Sequence, residues 1–194
     1  RYTHDLAPAL VLFDPDTGDE EILITRGLTD PSSFSADPSG STVVYSSNST
    51  TQTAAGRAVY SDVYLLDTGT GQEERVTSNE HLWHPAINPA DGSLVAVTGS
   101  GNESFLVSVN RQNGETEILF RKNASTIFNP VFSEDGGRLY FTMNVEGMQD
   151  IWVLPYPLET IPMYDEKKAE VNDEAAVPVT GPDRNGEFFP RLSD

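Results

Sequence analysis

Pro130-Val131-Phe132-Ser133-Glu134-Asp135-Gly136, then Arg138-Leu139-Tyr140-Phe141-Thr142, then Asp150-Ile151-Trp152-Val153-Leu154, is the stretch that decides the fold. It reads as a strand, a tight polar turn and two further strands, and the same order of features occurs twice before it. Pro85-Ala86-Ile87-Asn88-Pro89-Ala90-Asp91-Gly92 leads into Leu94-Val95-Ala96-Val97-Thr98 and Ser104-Phe105-Leu106-Val107-Ser108-Val109. Earlier still, Phe34-Ser35-Ala36-Asp37-Pro38-Ser39-Gly40 leads into Thr42-Val43-Val44-Tyr45-Ser46 and Asp62-Val63-Tyr64-Leu65-Leu66-Asp67. With Phe34, Ile87 and Phe132 as equivalent positions, the periods are 53 and 45 residues.

Each unit closes with a fourth strand reached through a Gly-bearing turn. The turns are Asp14 to Asp19, Asp67 to Gly71 and Asn110 to Gly114, and the strands that follow are Glu21 to Thr25, Glu73 to Thr77 and Glu115 to Phe120. Gly and Asn supply the positive φ of tight hairpins, and β-branched and aromatic residues suit a pleated strand. Four short antiparallel strands recurring about every 45 residues is the content of a β-propeller blade. No repeat holds a useful 3.6-residue period, which excludes a helical solenoid.

The pattern Pro-x-Phe-Ser-x-Asp-Gly, an apolar strand and Asp-Ile-Trp-Val resembles the repeat of the TolB-like β-propellers, relatives of the WD-type propellers. The third repeat carries it best, in Pro130, Phe132, Ser133, Asp135, Gly136, Asp150, Ile151 and Trp152. The second has one extra turn residue, and Ser104 where Asp is expected. The first has Ser32 or Ser33 where the Pro should be. The resemblance implies an all-β fold, a β-propeller of four-stranded antiparallel blades with three complete blades and partial blades at both ends. The expected divisions are a partial blade at 7–25, blades at 28–77, 78–120 and 121–180, and the start of another at 187–194. That count, with a chain opening on Arg1, suggests a piece of a larger propeller. A four-bladed ring, or two chains pairing edge to edge, are the alternatives. Segments 48–60 and 156–176 interrupt the repeats and are expected as extended surface loops, mobile at their polar centres.

The 194 residues carry 12 basic and 30 acidic side chains, a net charge of −18, and no cysteine. A polyanion would meet a field of its own sign, so nucleic acid is excluded as a partner. No apolar run approaches the ~18 residues of a membrane span. Disulfides, thiolate metal sites and Cys nucleophiles are absent with the cysteines. The low Lys count beside so many acids hints at a salt-adapted or surface-exposed protein.

Asp30, His84 and Asn129 each precede a proline that opens a repeat. In propellers such interblade connections approach the central channel, so these three, with Glu187 and the nearby His81, form the candidate ligand-facing set. Satisfying backbone groups at strand starts is the alternative role. His81-x-x-His84 is the one His pair, but it lacks Cys and a third metal ligand would have to come from Glu80 or another blade. Asp14-x-Asp16-x-Gly18 resembles a calcium loop, yet the equivalent turns lack its acids, so a turn role is preferred and Ca²⁺ binding would be weak. Asp91, Gly92, Asp135 and Gly136 are assigned to structural turns, although Ser133-x-Asp135-x-Gly137 superficially matches a sialidase Asp-box. Phe132, Tyr140 and Trp152 are expected to pack between blades. There is no Gly-x-Ser-x-Gly elbow, His-Glu-x-x-His or phosphate loop. Asn48-Ser49-Thr50, Asn102-Glu103-Ser104 and Asn123-Ala124-Ser125 fit the N-glycosylation pattern, which a Ser/Thr/Asn-rich chain also produces by chance and which would mean nothing in a bacterial protein.

These readings point to a non-catalytic protein-binding or scaffolding module of an exported bacterial protein, periplasmic or at the cell surface. Its partner would be a protein or peptide, favoured if basic. No cofactor and no resident metal are expected, and the oligomeric state is open. The second reading, by resemblance, is the gating propeller of a prolyl-oligopeptidase-like or tricorn-like peptidase whose catalytic domain lies outside these residues. A lyase-type propeller is a weaker third, given the scarcity of His.

Overall fold

The computed structural model describes residues 9–24, 33–163 and 170–179. Their strands are β1 (Leu10–Phe13), β2 (Glu20–Ile24), β3 (Phe34–Ala36), β4 (Thr42–Thr53), β5 (Gly56–Asp67), β6 (Glu73–Arg75), β7 (Trp83–Ile87) and β8 (Leu94–Ser100). They continue with β9 (Glu103–Val109), β10 (Thr116–Phe120), β11 (Ser125–Phe132), β12 (Arg138–Val145), β13 (Met148–Pro155), β14 (Ile161–Pro162) and β15 (Val177–Pro178), with one 3₁₀ turn at Asp173–Ala175. They form sheets β3-β4-β5-β6, β7-β8-β9-β10 with β14 added outside β10, β11-β12-β13-β15, and the pair β1-β2. Every pairing between these strands is antiparallel.

Alternation within Leu94-Val95-Ala96-Val97 shows how the sheets stack. Leu94 and Ala96 join Val44, Val63 and Leu65 in one core, while Val95 and Val97 join Ile127, Leu139, Phe141 and Met143 in another. The middle sheet is therefore buried on both faces, which is why β8 reads as a continuous apolar run. A third core packs Leu10 and Ile24 against Val43, Tyr45, Tyr64 and Leu66. Each fully buried Leu, Val or Phe contributes about 1.5–3 kcal/mol. Four-stranded antiparallel sheets stacked face on face in chain order make the molecule a β-propeller.

Two turn families repeat at one end of the blades. Gly18, Gly71 and Gly114, with φ of 78°, 69° and 74°, each donate their N–H to the carbonyl of the acid or amide four residues earlier, at 2.8 Å. Gly40 and Gly136 close a turn one residue shorter, bonding Asp37 and Ser133, whereas Gly92 reaches back to Asn88. The extra residue of the second repeat is thus absorbed in its turn.

The described parts of both interruptions differ from the extended loops expected, and residues 164–169 of the second lie outside the described residues. Residues 48–60 form no loop: β4 and β5 run on as an unbroken ladder from Thr42↔Asp67 to Thr53↔Gly56 and turn at residues 54–55. Ser, Thr, Val and Tyr suit this ribbon, and the Thr53 hydroxyl closes it on the Gly56 carbonyl at 2.7 Å. Segment 156–176, where described, returns to the middle blade. Ile161–Pro162 pairs with Glu117–Ile118, and Val171 exchanges both backbone bonds with Arg121, at 2.9 and 3.0 Å. It covers the outer edge strand, which would otherwise present unpaired backbone groups.

Candidate functional site

The inner strands β3, β7 and β11 lie side by side, and residues early in β3 and β7 and late in β11 line an open cleft of about 210 Å³. Its walls are Phe34 and Ser35 of the first blade, His84 and Pro85 of the second, and Asn129, Pro130 and Val131 of the third. His84 and Asn129 sit in equivalent bulges, where the register shifts between Trp83 and Ala86 and between Phe128 and Val131. Both hold φ of 49°, in the left-handed region that His and Asn enter more readily than most residues. The following proline has no N–H to pair, so the ladder yields there at little cost.

A chain of hydrogen bonds ties the three blades at this point. The buried Ser33 and Ser46 hydroxyls bond each other, the His84 N–H donates to Ser33 Oγ at 2.8 Å, and the Asn129 N–H donates to His84 Nδ1 at 3.0 Å. The His84 ring lies 6.4 Å from that of Phe128. Val131 is 60% exposed and Phe34 44%, beside the buried Pro85 and Pro130. No lining residue is a carboxylate, lysine or arginine.

Of the residues singled out in the sequence, the structure brings His84 and Asn129 together, and Asp30 and Glu187 lie outside the described residues. His81 is elsewhere: its ring lies tilted against that of Tyr60 at 5.1 Å and its carbonyl accepts from the Thr98 hydroxyl at 2.8 Å. Buried Leu82 separates the two histidines' surroundings. Among the described residues no group of three or more His, Asp or Glu could hold a metal ion. Asp14 Oδ1 accepts the Asp16 N–H at 2.8 Å, as Asn110 accepts that of Gln112 and Asp67 that of Thr70, so the calcium-like loop is built as its two equivalents are. Those hydrogen bonds hold the Asp14 and Asp67 carboxyls below the usual range. Asp91 accepts the Ser93 N–H and Asp135 those of the Ser133 hydroxyl and Gly137 amide. Phe132 packs edge-on against Tyr156 at 4.9 Å.

The residues that sequence reasoning missed are Phe34, Ser33 and Val131, and the buried carboxylate at the root of the long hairpin. Asp62 Oδ2 pairs with Arg75 Nη2 at 2.6 Å and accepts the Ser49 hydroxyl at 2.5 Å, while Oδ1 accepts the Glu80 N–H at 3.0 Å and the Thr77 hydroxyl at 3.2 Å. Burial alone would raise its pKa, but these bonds and the Arg75 charge bring it below the usual value. Glu80 is pushed up, by burial and then by the Asp62 charge, with His81 partly offsetting. Asp62 opens the repeat's Asp-Ile-Trp-Val element, and at the equivalent position Ser104 Oγ bonds the Ile127 N–H at 2.5 Å and carbonyl at 3.2 Å. In the first two blades the motif position staples the blade to the chain entering the next.

Comparison with known proteins places the fold in the β-propeller class, of the TolB-like type. The chain is similar to TolB from Acinetobacter baumannii, at 19% identity and a TM-score of 0.60 over 77% of this chain and 35% of that one. It is also similar to a TolB described as putative from Agrobacterium tumefaciens, at 18% identity and 0.59 over 78% and 55%. A prolyl endopeptidase structure matches at 16% identity and 0.51, over 77% of this chain and 24% of the other. The chain thus spans between about a quarter and about half of these proteins' length, and the likeness is one of fold. No family model matches the sequence, and no curated protein does.

Proposed function

We propose that this chain is a non-catalytic recognition module of an exported protein, acting in a periplasm or at a cell surface, and that a protein or peptide partner docks on the cleft between His84 and Asn129. The carrying observation is the exposed apolar lining, Phe34 and Val131 beside Pro85 and Pro130, held rigid by a hydrogen-bond chain across three blades. Pre-ordered apolar surface binds without an ordering cost. The −18 charge favours a basic partner through long-range attraction, while the contact at the cleft itself is apolar and uncharged. Fold alone does not fix function, so this reading rests on the cleft.

The test is to isolate the partner that copurifies from the native source and measure its affinity for wild type, Phe34→Ala and Val131→Ala across a salt series. Each substitution is expected to weaken binding about tenfold, the cost of losing one apolar anchor. Unchanged affinity in both variants overturns the reading, and affinity independent of salt removes the basic partner.

A further inference from the structure

We propose that His84 is a positioning residue for the docking cleft. Its neutral ring holds the Asn129 bulge and protonation releases it, so the cleft is set above the pH at which this imidazole titrates and slackens below it. This rests on the reading of the cleft as a docking surface and adds the regulation of that surface. The Asn129 N–H donates to His84 Nδ1 at 3.0 Å. A ring nitrogen that accepts carries no proton, so the neutral ring keeps its proton on Nε2. The imidazolium carries a proton on both nitrogens, and Nδ1 then meets the Asn129 N–H as one donor facing another. Only the neutral ring makes the bond.

Position gives that bond consequence. Asn129 falls where the β11–β12 register shifts, between Phe128 and Val131, and has no partner in that ladder. Its φ of 49° is left-handed, a conformation that costs energy and needs a contact to hold it. The next two residues, Pro130 and Val131, line the cleft with Phe34 and Ser35. His84 is anchored separately, its backbone N–H donating to Ser33 Oγ at 2.8 Å, with the buried Pro85 following. In the chain of bonds from Ser46 through Ser33 and His84 to Asn129, the imidazole is the link that titrates between about pH 5 and 8.

Few other charges surround it. The strands in contact with β7 are β3, β4, β5, β8 and β11. Of these, β3, β8 and β11 carry no titratable side chain, β4 carries Tyr45, and β7 itself has only His84. Strand β5 carries Arg57, Tyr60, Asp62, Tyr64 and Asp67, none of which lines the cleft, and Asp62 is bonded to Arg75. Asp30, ahead of β3, lies outside the described residues.

The test begins with the free protein. Ring ¹H–¹⁵N spectra of the histidines, assigned through the backbone, and amide spectra are recorded from pH 8 to pH 5. At pH 8 the His84 ring should carry its proton on Nε2 and none on Nδ1. The Asn129 amide signal should move with the midpoint of the His84 ring, and its exchange protection, corrected for the intrinsic rate, should fall about fivefold to tenfold across it. His84→Gln should abolish that response. An Asn129 amide indifferent to the His84 titration, a proton on Nδ1 at pH 8, or a ring still neutral at pH 5 overturns the inference. Partner affinity is then compared at pH 8 and pH 5, and should fall more in wild type than in His84→Gln. An equal fall in both, with Phe34→Ala and Val131→Ala still weakening binding, overturns the positioning role and keeps the docking reading. A titrating Asn129 with affinity untouched by Phe34→Ala and Val131→Ala overturns the docking reading instead.

Discussion

The Asp62 carboxylate, with no exposed surface, is joined to the Arg75 guanidinium at 2.6 Å across the edge of the first blade. Arg75 remains partly in solvent, so the pair is a half-buried clamp between β5, β6 and the chain that enters the second blade. Its loss is expected to loosen that junction before the blades themselves. Asp62→Asn should cost about 2–3 kcal/mol, because the Arg75 and Glu80 donors lose a charged acceptor. The folded-state pKa is lowered, so its contribution is present above about pH 4, the unfolded carboxylate range, and fades as pH falls through the folded value. Thermal melts of wild type and Asp62→Asn from pH 7 to pH 3 check this: the difference in Tm should be largest at neutral pH and shrink below pH 4.

Glu80 should behave in the opposite sense. Its pKa is raised, so the folded state holds the proton more tightly and the ionised side chain works against folding as pH rises above the usual carboxylate range. Glu80→Gln is expected to raise Tm at pH 7 and to give no gain near pH 4. A fall in Tm at pH 7 would show that Glu80 has a favourable partner.

Gly136 and Gly40 occupy equivalent turns with φ of 70° and 69°, yet alanine should be felt differently at each. A Cβ on Gly136 would overlap Asn88 Oδ1 and come within 2.7 Å of Ala90 Cβ, whereas at Gly40 nothing lies within 4 Å. Gly40→Ala should cost about 1–2 kcal/mol, the left-handed penalty alone. Gly136→Ala should cost about 3 kcal/mol or more, since it also breaks the contact between neighbouring blades' turns. Equal denaturation midpoints for the two variants would contradict the interblade packing.

Asn172 Nδ2 donates to the Leu119 carbonyl at 2.7 Å and to the Glu159 carbonyl at 2.8 Å, pinning the returning segment to the middle blade. Asn172→Ala is expected to cost about 1–2 kcal/mol. Its signature is local: amide exchange should accelerate at Ile118 and Arg121 and stay unchanged at Val44 and Val63.

Turn chemistry made most of the fold legible in the sequence. Asp, Asn and Gly at fixed offsets bond their own neighbours, so Asp135 and Gly136 announce a turn without reference to the rest of the chain. His84 and Asn129 were readable because the prolines after them mark the inner strand of each repeat, although Pro130 falls inside β11 and not at its start. Phe34 and Val131 were not, since an exposed and a buried apolar residue on a short strand look the same. The long hairpin was hidden because its alternating residues are Ser, Thr and Ala, which carry no apolar period. The returning segment was hidden because its pairing spans two residues and a partner some forty positions away. His81 was grouped with His84 on spacing alone, and the buried Leu82 between them turns the two apart.

The most direct test of the cleft as the docking site is photo-crosslinking in cells that make the protein, with the reactive amino acid at Val131 in the cleft or at Thr70 in the turn between β5 and β6, which does not line it. The account predicts a discrete crosslinked partner from Val131 and none from Thr70. The same partner captured from Thr70, with nothing from Val131, would contradict it.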